Sequence, residues 1–220
     1  MGRWASLPPR LAAVAEQVPP GARFADVGTD HGHLPRALLD AGRVPRAIAM
    51  DISPRPLDVA RTHLAPWPEA ELRLGSGLIP LKAGEADAVA ICGMGSVTMV
   101  DILTARDPAS LGISRLILQP QGDLPPIRQH IEDIGHHIAD EHLVADHGRL
   151  YLVIVAEPGA RAPLSEADLI LGPVLRARGG PLYDAWLEVQ RAWWRSRLKG
   201  LGERATAADH ERLNLYLPRR

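Results

Sequence analysis

From residue 24 onward, short apolar runs alternate with amphipathic stretches over more than half of the 220-residue chain, and this alternation limits its fold more than any other feature. The runs at 24–27, 47–50, 72–74, 86–92 and 115–119 are too short for helices and are rich in Ala, Val, Ile and Leu, the composition of strands covered on both faces. The stretches at 34–41, 54–64, 97–105 and 124–134 carry helical spacing, with Ser53 placed as N-cap and Pro54 in the first turn of the second one. Residues 10–18, closed by Pro19, Pro20 and Gly21, predict a helix ahead of the first strand, and 138–144 with 150–155 predict a closing hairpin. Such a pattern specifies an α/β fold, a mostly parallel, doubly wound, Rossmann-like sheet with helices on both faces.

Pro, Gly and Ala cluster at 158–163, where the strand pattern stops, so a boundary is expected between residues 1–160 and a small helical domain at 161–220. In that second part Ser165 with Asp168 resembles a capping box. Gly180 and Pro181 open a longer helix whose Leu182, Trp186, Val189 and Trp193 form an i, i+4, i+7, i+11 stripe, widened by Tyr183, Leu187, Trp194 and Leu198. Gly200 is placed to cap it, and a last polar helix is expected over about 203–215, antiparallel to its neighbour. Charge is uneven: residues 1–160 sum to −5 and residues 161–220 to +4, for a total of −1. The tail's Arg191, Arg195, Arg197, Arg204 and Arg212 interleave with Trp193 and Trp194. That pattern reads equally as an RNA-facing surface or as a helical hairpin with solvated arginines.

A single cysteine, Cys92, excludes an internal disulfide, and no apolar run approaches a membrane span. Met1 to Leu7 lack the layout of a secretion signal, so a cytoplasmic protein is expected. The length suffices for a sizeable core without forcing oligomerisation, which predicts a monomer or weak dimer.

The turn Asp26 Val27 Gly28 Thr29 Asp30 His31 Gly32 lies between the first strand and its helix, the position at which such sheets bind nucleotides. Gly28 and Gly32 permit close backbone approach, but Asp30 takes the middle position and disfavours a pyrophosphate. A cationic ligand without phosphate fits better, which points to S-adenosyl-L-methionine and methyl transfer. An acid for ribose hydroxyls stands at Asp51, 23 positions after Gly28. The other strand ends add Ser76 and Gly77, then Gly93, Met94 and Gly95, where two glycines flank a thioether and break the strand. Asp26, at the end of its strand, is expected to orient the turn or receive the methionine amine.

Asp30 and His31 are the catalytic candidates, the alternative being a helix cap and an ordinary loop histidine. His130, His136, His137, His142 and His147 lack metal-site spacing, so no metal is expected. No GxSxG elbow supports a serine hydrolase.

In order along the chain, Asp26 Val27 Gly28 Thr29 Asp30 His31 Gly32 His33 Leu34 Pro35, then Cys92 Gly93 Met94 Gly95, then Leu118 Gln119 Pro120 resemble the bacterial tRNA adenine-22 N1-methyltransferase family, TrmK. The likeness covers roughly residues 7–157, and Leu171 Gly172 Pro173 with the helix after Pro181 is similar to that family's helical appendage. The resemblance implies a class I methyltransferase domain that binds S-adenosyl-L-methionine and a helical domain that helps hold tRNA. It makes Asp26, Gly28, Asp51, Ser76, Gly77, Gly93 and Met94 cofactor neighbours, with Thr29, Asp30, Ile52 and Gly95 beside them and Arg10 for the methionine carboxylate. Asp30 becomes the foremost catalytic candidate, accepting a hydrogen bond from the adenine amine. The chain departs from the family pattern at Ser76, where an acid or amide is expected against the cofactor's adenine, and at Ser96, which replaces a glycine. Two alternatives share the fold: a methyltransferase of another substrate, and a catalytically silent RNA-binding protein.

Overall fold

The computed structural model describes residues 4–159 and 161–217, so expectations that touch residues 1–3, 160 and 218–220 lie outside the described residues. The chain forms two compact units, residues 1–162 and 163–220. In the first, the order is α1 (Pro9–Gln17), β1 (Phe24–Val27), α2 (His33–Asp40), β2 (Ala47–Asp51), α3 (Pro54–Leu64), β3 (Ala70–Leu74), β4 (Ala88–Gly95), α4 (Ser96–Ala105), β5 (Arg115–Gln121), α5 (Pro125–Asp133), β6 (His136–Asp146) and β7 (Arg149–Pro158).

One seven-stranded sheet runs β3-β2-β1-β4-β5-β7-β6, parallel from β3 to β5, with β7 antiparallel to both of its neighbours. β1 pairs with β2 on one side (Phe24↔Ala47) and β4 on the other (Phe24↔Ala88), so the winding reverses there and opens a crevice at the strands' carboxyl ends. All four residues of β1 are buried, as are the first four of β2 and of β4, which accounts for their unbroken apolar character. On one face Val14, Phe24, Leu38, Ala88, Ile117 and Val153 join in a core beneath α1 and α2; on the other Ala49 meets Ala60 and Leu64 of α3.

Two local expectations in this unit need correction. Ser53 precedes α3 but does not cap it through its side chain; its own N–H donates to Asp51 Oδ1 at 2.8 Å. β4 does not end at Cys92: it continues to Gly95, and the ladder with β5 slips between Cys92 and Met94 before resuming at Met94↔Pro120. Gly93, at φ +73°, supplies the left-handed residue that lets the strand bulge without ending.

The second unit contains α6 (Glu166–Leu171), α7 (Pro173–Arg178), α8 (Pro181–Leu201) and α9 (Ala207–Leu215). Ser165 and Asp168 form the capping box, and Thr206 with Asp209 forms another ahead of α9. On α8 the buried side chains are Tyr183, Trp186 and Trp194, while Leu182, Val189 and Trp193 of the expected stripe are 44%, 55% and 53% exposed. The partner helix decides this: α9 folds back so that Tyr216 meets Trp186 edge-on and Arg212 lies over Trp194. The helix ends at Leu201 with Gly202, not Gly200, as its cap. Among the described residues no helix is long and apolar enough to cross a membrane.

Candidate active site

The turn after β1 uses its amides internally. Gly28 and Thr29 both donate to the Met50 carbonyl at 2.9 Å, Asp30 N–H donates to Asp51 Oδ2 at 3.3 Å, and Gly32 N–H donates to the Thr29 carbonyl at 2.9 Å. A phosphate placed here meets carboxylates and none of these four donors. Gly28 has φ +71°, and a Cβ on it would lie 2.2 Å from Met94 Cε, so β1 and the β4 bulge touch through glycine alone. Asp30 occupies the left-handed region at φ +53°, which aspartate tolerates better than most residues. It does not cap α2, whose N-cap is Gly32 without a side-chain bond. Its carboxylate stands 69% exposed, 3.6 Å from His31 Nε2.

Asp26 is the third of four residues in β1 rather than its last. Burial pushes its carboxyl up to about 7, against the pull of the Thr29 hydroxyl that donates to it at 2.8 Å; the charges of Asp51 and Asp30 raise it further. Cys92, partly buried and beside Asp26, has its thiol pushed well up by desolvation and by that charge. His33 is held below the usual histidine range by burial and by its neighbours His63 and His31.

Two adjoining cavities meet at Gly28, Asp51 and Met94. The smaller, about 360 Å³, brings these together with Ile52, Ser76 and Gly77. Its far wall is Thr98, Asp101, Ile102 and Ala105, one face of α4 that the sequence reading did not single out although their i, i+3, i+4, i+7 spacing marks it. The larger, about 720 Å³, gathers Arg10, Asp26, Thr29, Asp30, His31 and Gly93. It also takes in His33 and Cys92 from the motifs noted in the sequence, and Ser6, Gln121 and Tyr151, which sequence reasoning missed because they arrive from the segment before α1, the end of β5 and the hairpin. Arg10 reaches it with Nε 3.5 Å from Asp146 and its guanidinium over the Tyr151 ring at 5.9 Å. Gly95 lines neither cavity: it closes β4 and N-caps α4. Ser96 follows as a buried first residue of α4 whose hydroxyl has no partner.

The histidines of the hairpin serve local contacts: His136 Nδ1 lies 3.0 Å from the Ile134 carbonyl, and His142 faces Asp140. Among the described residues no group of His, Cys, Asp and Glu is arranged to hold a metal ion. In the helical unit Arg191 binds Glu188 and the Tyr216 carbonyl, and Arg197 lies over Trp193 and Trp194 at 5.6 Å from each ring. Arg195 and Arg204 are exposed.

Residues 7–154 match the model of a methyltransferase domain family. A tRNA (adenine(22)-N(1))-methyltransferase of Bacillus subtilis is 35% identical over 174 residues, 76% of this chain and 73% of that protein. The crystal structure of the B. subtilis M1A22 tRNA methyltransferase TrmK superposes with a TM-score of 0.83 at 30% identity, covering 96% of this chain and 94% of that one. A Streptococcus pneumoniae protein solved in complex with S-adenosyl-L-methionine superposes with a TM-score of 0.86 at 26% identity, over 94% of this chain and 96% of that one. The chain therefore belongs to the TrmK family of tRNA (adenine(22)-N(1))-methyltransferases.

Proposed function

We propose that this protein methylates N1 of adenine 22 in tRNA with S-adenosyl-L-methionine as donor, in the cytoplasm. The observation that carries this reading is the turn between β1 and α2, where the amides of Gly28, Thr29, Asp30 and Gly32 are spent inside the fold while Asp26, Asp30 and Asp51 surround the junction of the two cavities. That donor set fits a ligand with a positive sulfonium and ammonium and no phosphate. When bound, S-adenosyl-L-methionine supplies an electrophilic methyl group.

In the smaller cavity Asp51 accepts hydrogen bonds from the ribose hydroxyls, and Ile52, Met94 and Ile102 cover the adenine. Ser76 and Gly77 contact that base through small side chain and backbone. In the larger cavity Asp26 takes the methionine amine with Thr29 holding its carboxylate, and Arg10, steadied by Asp146, takes the methionine carboxylate. Gly28 and Gly93 let the backbone approach closely at the junction. Adenine N1 carries its own lone pair, so the transfer calls for alignment and charge stabilisation rather than a strong base or a metal. Asp30 accepts a hydrogen bond from the exocyclic amine and stabilises positive charge developing on the ring; His31 steadies that carboxylate. Because N1 is hidden in stacking or pairing, the target base must be turned out of the RNA.

The first unit acts as the cofactor domain and the helical unit supplies tRNA contacts through Arg195 and Arg204. All the cofactor-domain residues named come from one chain, so a monomer or weak dimer suffices. The test is mass spectrometry of nucleosides from tRNA incubated with the protein and S-adenosyl-L-methionine. 1-Methyladenosine should appear with unmodified tRNA and vanish when adenine 22 is replaced by guanine. Methylation of any other position, or none, contradicts the reading.

A further inference from the structure

Among the polar side chains of the larger cavity that the scheme above leaves idle, Ser6, His33, Gln121 and Tyr151, one ends a central strand. Gln121 is the last residue of β5, opposite Gly95 at the end of β4, and it borders the cavity that contains Asp30, Gly93 and Met94. It is exposed, and its carboxamide makes no hydrogen bond to a described residue. The neighbouring polar groups are engaged: Arg10 with Asp146, Asp26 with Thr29, and Asp51 with two backbone amides. Gln121 lines the larger cavity and not the smaller one, which places it on the side open to an acceptor base rather than around the donor's adenosine.

A carboxamide carries a donor and an acceptor side by side. Adenine presents the complementary pair on its N7 edge, where an exocyclic N–H lies next to the N7 lone pair, and glutamine reads that edge with two hydrogen bonds. The edge lies on the far side of the exocyclic amine from N1, so a base gripped there keeps N1 free. The amine has two hydrogens, and this geometry shares them: the one beside N7 goes to Gln121 Oε1, and the one beside N1 goes to Asp30. Guanine offers two acceptors along the same edge and leaves Oε1 facing an oxygen.

Building on the adenine-N1 reading, we propose that Gln121 is the specificity residue that selects the target adenine, binding N6 and N7 and turning N1 towards the junction of the two cavities. The test crosses two proteins, wild type and Gln121→Leu, with two full-length tRNAs assembled by ligation, carrying adenosine or 7-deazaadenosine at position 22. kcat/KM is measured for each pair, and calorimetry reports S-adenosyl-L-methionine affinity. Loss of N7 should lower wild-type kcat/KM about tenfold. Gln121→Leu should methylate both tRNAs at one equal, reduced rate, with cofactor affinity unchanged. A deaza penalty that persists in the variant, no penalty in the wild type, or loss of cofactor binding in the variant each overturns the proposal. Failure of wild type on the all-adenosine tRNA instead removes the parent reading, and this one with it.

Discussion

Asp26 is buried in β1 and yet borders the cavity proposed for a cation, so its charge state couples to ligand binding. Its carboxyl lies at about 7 instead of the ordinary 3.8, so the folded chain holds the proton more tightly than the unfolded chain. Ionising it costs stability progressively as pH rises from about 4 to about 7, and the full cost applies above that. A bound ammonium or sulfonium offsets this cost by favouring the carboxylate. S-adenosyl-L-methionine affinity should therefore climb about tenfold per pH unit below 7 and level off above it, and Asp26→Asn should flatten the profile. Calorimetry across pH 5.5 to 8.5, in buffers of different ionisation enthalpy, measures the affinity and the proton released. Asp30 differs because its carboxylate is largely exposed; Asp30→Ala should cut kcat on tRNA by about 10²- to 10⁴-fold and leave cofactor affinity near wild type. Single-turnover kinetics with separate binding measurements tests that split. Gly28→Ala should cost about 1–2 kcal/mol for the left-handed backbone, since Met94 has a flexible tip, but should abolish cofactor binding by projecting into the junction. Urea unfolding and calorimetry separate the two effects.

Elements differ in how much of them their own residues specify. β1 and α3 lie where the apolar run and the Pro54 start put them, because their patterns are local. The extension of β4 through Gly93 was not legible: a glycine pair reads as a strand end, and only pairing of Met94 with Pro120 across the bulge continues the ladder. The buried face of α8 was only partly legible, since the apolar stripe is broad: Tyr183, Trp186 and Trp194 are buried, with Tyr216 against Trp186, while Leu182, Val189 and Trp193 stay exposed. Between α5 and β6, Arg128 and Glu141 are both fully buried and paired at 2.8 Å, a contact no sequence pattern announced. Arg128→Met takes the guanidinium from the buried carboxylate and should cost about 3–5 kcal/mol in urea unfolding; adding Glu141→Leu should recover most of it.

At the scale of the whole molecule, the acidic first unit and the basic tail divide the proposed work between cofactor and RNA. Arg195, Arg197 and Arg204 are exposed, but Arg197 lies over two indole rings, and Arg191 and Arg212 are committed to a carbonyl, a carboxylate or an indole ring. Replacing Arg195 and Arg204 with alanine should weaken tRNA binding and flatten the dependence of log K on log salt by about 1–2, with cofactor affinity unchanged. Filter binding across a salt series measures both slope and affinity. The sequence by itself determined the parallel sheet, the order of its elements and the turn from Asp26 to Gly32, because periodicity, glycine freedom and charge act over neighbouring residues. Only the tertiary structure decided that Arg10, Gln121 and Tyr151 border the same cavity as Asp30, that the turn's amides close on Met50 and Asp51, and that Gly95 stands aside. Those outcomes depend on strand order and register, which bring together residues more than a hundred positions apart and leave no periodic trace in the chain.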